Sequence, residues 1–213
     1  MLSDTITLAL PTGRIFSETV ELLTRSGFTL PEDVKKARKL HISNGSHQSS
    51  VLVKDADVPT YVEHGVVDAG IVGHDVLTEA NPDVYKPLDL GIGRCEMVVA
   101  RKKEQPKGAY RDLPIVRVAT KYPEVTFRHF HGHGIPVEVI LLSGSVELAP
   151  VLGLADCIVD LVQTGKTLAA NGLVVDEVLF QSTARLIVNR ASFRLKGRLV
   201  SEFVASLSKE VAR

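Results

Sequence analysis

Apolar residues along this chain recur at two spacings, and the spacing switches repeatedly from one segment to the next. Ile6-Thr-Leu-Ala-Leu10 alternates and is β-rich, which predicts a strand. Pro11-Thr-Gly-Arg14 follows as a turn. Ile15, Val20, Leu22 and Leu23 then form a helical stripe over 15–26, closed by Gly27. A second strand is predicted over 51–53. Asp57 opens the next helix as its cap, with Pro59 in the first turn and Gly65 past the end. A short strand over 68–72 stops at Gly73, and a helix starts over 75–79. Strands over 96–100 and 116–119 flank a polar stretch rich in Lys, Pro and Gly. Beyond them the pattern predicts a helix over 123–131, a strand over 137–142 and a helix starting near Ser145 and running over 146–152. A late strand over 185–188 precedes a charged amphipathic C-terminal helix. Strands alternating with helices predict an α/β fold with mainly parallel sheets. Leu90-Gly-Ile-Gly93 and the region near Gln181 are the natural crossing points between two lobes.

One segment carries denser chemistry than the rest. Asp156-Cys-Ile-Val-Asp160-Leu-Val-Gln-Thr164-Gly165-Lys166-Thr167-Leu168 reads as an apolar strand bearing acids, a tight hydroxyl-rich loop and a helix. Gly165 lets the backbone approach a ligand closely. Thr164 and Thr167 offer hydroxyls, Lys166 a cation, and the loop amides at the start of a helix an anion site. Asp160, set back on the strand, is placed to accept hydrogen bonds from sugar hydroxyls. Acid and phosphate cradle together suit a ribose 5-phosphate. Gly165-Lys166-Thr167 also matches half of a P-loop, but the leading glycine of that motif would fall at Asp160. An ordinary strand-turn-helix connection remains the plain alternative for this stretch alone.

Composition narrows the class. With 213 residues, 45% apolar and 23% charged, the chain can bury a sizeable core in one large domain or two small ones. The 25 basic residues balance 25 acidic ones, so nothing points to nucleic acid or an anionic membrane surface. No secretory signal and no membrane-length apolar run is visible. The two cysteines, Cys95 and Cys157, match no metal spacing and fit reduced thiols in a cytoplasm. The His129, His131, His133 alternation would suit a metal only on a strand, and at a helix end it reads as a solvated surface.

Four further segments join the loop. Leu10-Pro-Thr-Gly13-Arg14 sits at the mouth of the first strand, where ligands of α/β folds collect. Residues 57–73 form a helix-turn-strand with glycines at both ends. Lys121 and Tyr122 follow a strand end, and Ser143-Gly-Ser-Val-Glu147 follows another. Together and in this order, these residues resemble the ATP phosphoribosyltransferase family, over nearly the whole chain. The most specific matches are residues 57–73, 144–168, Asn171-Gly-Leu173 and Ala184-Arg-Leu-Ile-Val-Asn-Arg190.

The resemblance implies a two-lobed fold like that of periplasmic binding proteins. Lobe I would comprise residues 1–91 plus 181–213, and lobe II residues 92–180 with the phosphoribosyl pyrophosphate loop. It implies transfer of phosphoribosyl from phosphoribosyl pyrophosphate to N1 of ATP, releasing pyrophosphate, the first step of histidine biosynthesis. Arg14 and Arg38 are the candidates for stabilising the leaving group, Arg38 on the resemblance alone, with a solvated helix-face charge as its other reading. Gly13, Lys121, Glu147, Asp156, Asp160, Thr164, Gly165, Lys166 and Thr167 are the substrate-binding candidates. Asp156, earlier on the strand, also reads as a structural acid. Mg2+ would arrive on the substrate phosphates, with no dedicated protein site. Few residues follow Asn189, so the chain resembles the short form of the family. That form works in the cytoplasm with a regulatory subunit resembling histidyl-tRNA synthetase, implying a hetero-octamer, a dimer when alone, and histidine control only through the partner. Two other classes share features: a non-catalytic two-lobe binding module, which would lack the loop, and a purine-salvage phosphoribosyltransferase, which usually carries two adjacent acids before it.

Overall fold

A computed structural model of the chain describes residues 5–28, 30, 40–43 and 48–212. In chain order it begins with β1 (Ile6–Pro11), α1 (Phe16–Arg25), β2 (His41–Ser43), β3 (Gln48–Val53), α2 (Val58–Glu63), β4 (Ala69–Gly73), α3 (His74–Ala80) and β5 (Tyr85–Asp89). There follow β6 (Cys95–Lys102), β7 (Val116–Thr120), α4 (Pro123–Gly132), β8 (Val137–Leu141), α5 (Leu148–Val151), β9 (Cys157–Val162), α6 (Lys166–Ala170) and β10 (Leu173–Ser182). The chain ends with β11 (Ala184–Val188), α7 (Arg190–Leu195) and α8 (Gly197–Val211). Two compact units result, one joining residues up to Gly93 with those from Thr183 onward, the other spanning Arg94–Ser182.

The first unit is built on a six-stranded sheet in the order β2-β3-β1-β4-β11-β5. β1 runs parallel to both β3 and β4, while β2 and β11 add antiparallel pairs toward the two edges. Alternation along β1 assigns its side chains to two layers. Leu8 and Leu10 pack with Leu22 and Leu23 of α1 and with Val200, Phe203 and Leu207 of α8. Ala9 faces the other way, toward Val58 and Val62 of α2 and Leu77 of α3. The apolar face of the C-terminal helix is therefore core. α7 begins at Asn189, whose side-chain oxygen accepts from the amides of Ala191 and Ser192, a cap worth about 1 kcal/mol. The predicted C-terminal helix is two helices, which meet at Lys196. The Lys196 ammonium lies 2.7 Å from the buried Asp68 carboxylate, which also accepts from the Ser192 hydroxyl and the Thr7 amide.

The second unit holds a five-stranded sheet in the order β10-β6-β9-β7-β8. β7 is parallel to β8 and β9, so the carboxyl ends of these three strands share one edge. β6 and β10 join antiparallel. Parallel pairing thus marks the centre of the first sheet and one side of the second, where β8 is the edge strand and the antiparallel strands lie beyond β9. Again both faces are covered. Met97, Val99, Cys157 and Val159 pack against Val125 and Phe130 of α4. Val98, Ala100 and Ile158 pack against Ala149 of α5 and Leu168 of α6. The helix expected from Ser145 begins later, at Leu148, because Ser145 adopts a left-handed backbone (φ 50°) that no helical turn accepts. Among the described residues no helix is long and apolar enough to cross a membrane.

Candidate active site

The chemistry collects at the carboxyl edge of β7, β8 and β9, where open parallel sheets bind ligands. Parity decides which side chains of β9 reach it. Ile158 packs toward α5 and α6, so Asp160, two residues on, leaves the strand on that same face. Asp160 and residues 161–168 line a cavity of about 240 Å³ together with Glu147. Gly165 caps α6 with φ 71°, a left-handed value that costs glycine nothing, and this bends the chain sharply from strand into helix. Thr164, Lys166 and Thr167 are exposed around that bend. The first amides of α6 have no partner inside the helix and are donors for an anion at the loop. Lys121 follows β7, whose Thr120 pairs with Val159 of β9. This register sets Lys121 beside Asp160, with Nζ 4.0 Å from Oδ1, while the ammonium also lies 5.1 Å from the Tyr122 ring centre. Glu147 stands just before α5 and reaches the same cavity.

Of the substrate-binding candidates in this unit, Lys121, Glu147, Asp160, Thr164, Gly165, Lys166 and Thr167 come together. Asp156 does not. It precedes β9, at the end of the strand away from the loop, about 20 Å back along the chain. Its carboxylate takes the Arg117 amide at 2.9 Å and the Arg117 guanidinium at 2.8 Å, while its own amide donates to the Arg117 carbonyl. Burial works to raise the Asp156 pKa, but these bonds outweigh it and hold the group below 3.8. Asp156 clamps the start of the strand to Arg117, in keeping with its other reading as a structural acid. Gln163, not among the sequence candidates, also lines the cavity beside Thr164.

Gly13 and Arg14 belong to the first unit, at the mouth of β1. The Gly13 amide donates to Asp55 Oδ1 at 2.8 Å, and a Cβ on Gly13 would lie 2.4 Å from that carboxylate, so only glycine fits. Arg14 is exposed, and its Nη1 donates to the Gly93 carbonyl at 2.7 Å. Asp55 joins them without having been singled out in the sequence. Burial chiefly raises its pKa, the Gly13 bond lowers it, and the nearby charge of buried Asp75 raises it further. Its position, two residues past the end of β3, gives no hint of the Gly13 contact by itself. Arg38 lies outside the described residues.

Comparison with known proteins completes the picture. The family model described as ATP phosphoribosyltransferase matches residues 54–209. An ATP phosphoribosyltransferase of Geobacillus kaustophilus is 49% identical over 204 residues, covering 95% of this chain and 97% of its own. One from Geobacter metallireducens is 46% identical over 216 residues, covering 99% and 100%. Among solved structures, the ATP phosphoribosyl transferase (HisG:HisZ) complex from Thermotoga maritima contains a chain superposing with a TM-score of 0.84 at 33% identity, over 98% of this chain and 99% of that one. The periplasmic aliphatic sulphonate binding protein SsuA from Escherichia coli superposes at 0.61 with 15% identity, covering 98% and 72%, a likeness of fold. With an acid, a hydroxyl-rich loop and a lysine gathered at one sheet edge, and with relatives matching end to end, the chain belongs to the ATP phosphoribosyltransferase family.

Proposed function

We propose that the cavity at the end of β9 holds the ribose 5-phosphate half of phosphoribosyl pyrophosphate. The observation that carries this is the shared lining by Asp160, Glu147 and residues 163–167. The reaction is that of the family: N1 of the ATP adenine bonds to C1 of the ribose, the bond from C1 to pyrophosphate breaks, and phosphoribosyl-ATP begins histidine biosynthesis. The 5-phosphate takes bonds from the Thr164 and Thr167 hydroxyls and the loop amides, and Lys166 adds charge. The Asp160 carboxylate accepts from the ribose hydroxyls, with the Lys121 ammonium 4.0 Å away.

Positive charge grows on the ribose ring as the leaving group departs, and negative charge grows on pyrophosphate. Arg14 is assigned to the second task. One of its nitrogens is anchored on Gly93, which leaves further guanidinium donors for phosphate oxygens. Arg38 is assigned to the same task on the family resemblance alone. Mg2+ accompanies the substrate phosphates, which supply most of the oxygen ligands this hard cation takes.

A cytoplasmic setting and a regulatory subunit, of the kind named in the Thermotoga maritima complex, complete the proposal. The purified chain, given ATP, phosphoribosyl pyrophosphate, Mg2+ and a candidate partner, should form phosphoribosyl-ATP, read by its ultraviolet absorbance. Histidine should inhibit only when the partner is present. Tight, inhibitory histidine binding by the chain alone would defeat the regulatory part.

A further inference from the structure

We propose that His129, His133 and Glu177 form a binding site for a borderline-soft divalent cation, Zn2+ foremost. The site lies on the α4 face of the second unit, away from the loop cavity. His129 and His133 are one helical turn apart at the C-terminal end of α4, so both rings project to the same side, with centres 4.6 Å apart. Glu177 comes from β10. One ligand atom from each of the three residues lies within 4.8 Å of the other two. The sequence pattern pointed to the alternation through His131, but position 131 is the wrong partner, because its ring stacks on Phe127 instead.

Three details favour a cation over a simple polar cluster. His129 Nε2 stands 3.6 Å from Glu177 Oε2, too far for a direct hydrogen bond. It is close to the ~3.3 Å that separates ligands around a tetrahedral Zn2+ with bonds of about 2.0–2.1 Å. His133 Nδ1 sits 2.8 Å from the His129 carbonyl. With its hydrogen held there, Nε2 is the ring atom that offers a lone pair, the arrangement by which outer contacts orient ligating histidines. Arg111, 2.6 Å from Glu177 Oε2, and the Tyr110 hydroxyl, 3.3 Å from it, donate to the same oxygen that faces His129 and hold the carboxylate in place. Three protein ligands leave a fourth position for water. Bound there, the cation fastens the last turn of α4 to β10, two segments not otherwise joined by backbone bonding.

The test uses the full chain with Zn2+ in competition against a chromophoric chelator, and Co2+ as a spectroscopic stand-in. One Zn2+ per chain should bind, Co2+ should give the visible absorption of a tetrahedral site, and Zn2+ should raise the thermal midpoint. His133→Ala, a change at an exposed position, should weaken Zn2+ binding at least about tenfold and abolish the thermal shift. Glu177→Gln should act in the same direction, and His131→Ala should leave affinity unchanged. Absence of stoichiometric binding, unaltered affinity in His133→Ala, or an equal loss in His131→Ala would each overturn the site.

Discussion

Asp156 and Asp160 stand four positions apart at opposite ends of one strand, on the same face, and do different work. Asp156 is saturated by a single residue: backbone and guanidinium of Arg117 together satisfy its carboxylate, and its own amide returns a bond. Asp160 meets a cavity, with a lysine 4.0 Å off and a loop of hydroxyls beyond. Residue type and strand position alone do not distinguish the two: Asp156 is committed to Arg117, whereas Asp160 borders the loop cavity.

The largest expected contrast is in turnover. Asp160→Asn should lower kcat/KM by at least about a hundredfold, since two charge-assisted bonds to ribose are each worth about 1.5–3 kcal/mol. Its thermal midpoint should stay near that of the parent. A variant with normal kinetics and lowered stability would reverse the roles of the two acids. Next come the loop hydroxyls. Thr164→Ala or Thr167→Val should each weaken phosphoribosyl pyrophosphate binding by about 1–3 kcal/mol in titration calorimetry, without unfolding. Unchanged affinity in both would remove the loop from the site.

Smaller effects belong to the other end of the strand. Asp156→Ala should lower the thermal midpoint by roughly 2–4 °C and leave kcat intact at permissive temperature. Acid should reproduce part of that loss. The folded pKa of Asp156 lies below its ordinary 3.8, so its contribution is complete above that value and fades as pH falls through the lower folded one. Thermal melts of parent and Asp156→Ala should therefore converge on acidification below about pH 4. A gap that persists unchanged in acid would show that the clamp is not ionic.

The core strands were legible in the sequence because they are short apolar, β-rich runs whose alternate side chains pack into two covered layers. Ile6, Leu8 and Leu10 go inward, and so do Val116 and Val118. The loop was legible because strand, glycine and hydroxyls are contiguous. β10 was not. Its register against β6 shifts twice, between Val175 and Glu177 and between Val178 and Phe180, so the buried positions of Leu-Val-Val-Asp-Glu-Val-Leu-Phe-Gln-Ser follow no period of two. With the strand went Glu177, and with Glu177 the partner that gives His129 and His133 a meaning. β5 escaped for another reason: it is a largely exposed edge with a proline in its middle. Asp55 needed the third dimension, since nothing in Lys54-Asp55-Ala56 announces the glycine 42 residues earlier that binds it.

The place of β11 has a consequence for synthesis on the ribosome. This strand fills the slot between β4 and β5, yet it follows the entire second unit in the chain. The residues through Asp89 therefore emerge with two unpaired strand edges and must wait for Ala184–Val188. At ~5–20 residues per second the delay is on the order of ten seconds, during which the second unit, continuous in sequence, can close its own sheet. Open edges invite pairing with other chains. The nascent first half is thus the form most in need of a chaperone, until Asn189 arrives behind the strand and donates to the carbonyls of Val62 and Glu63.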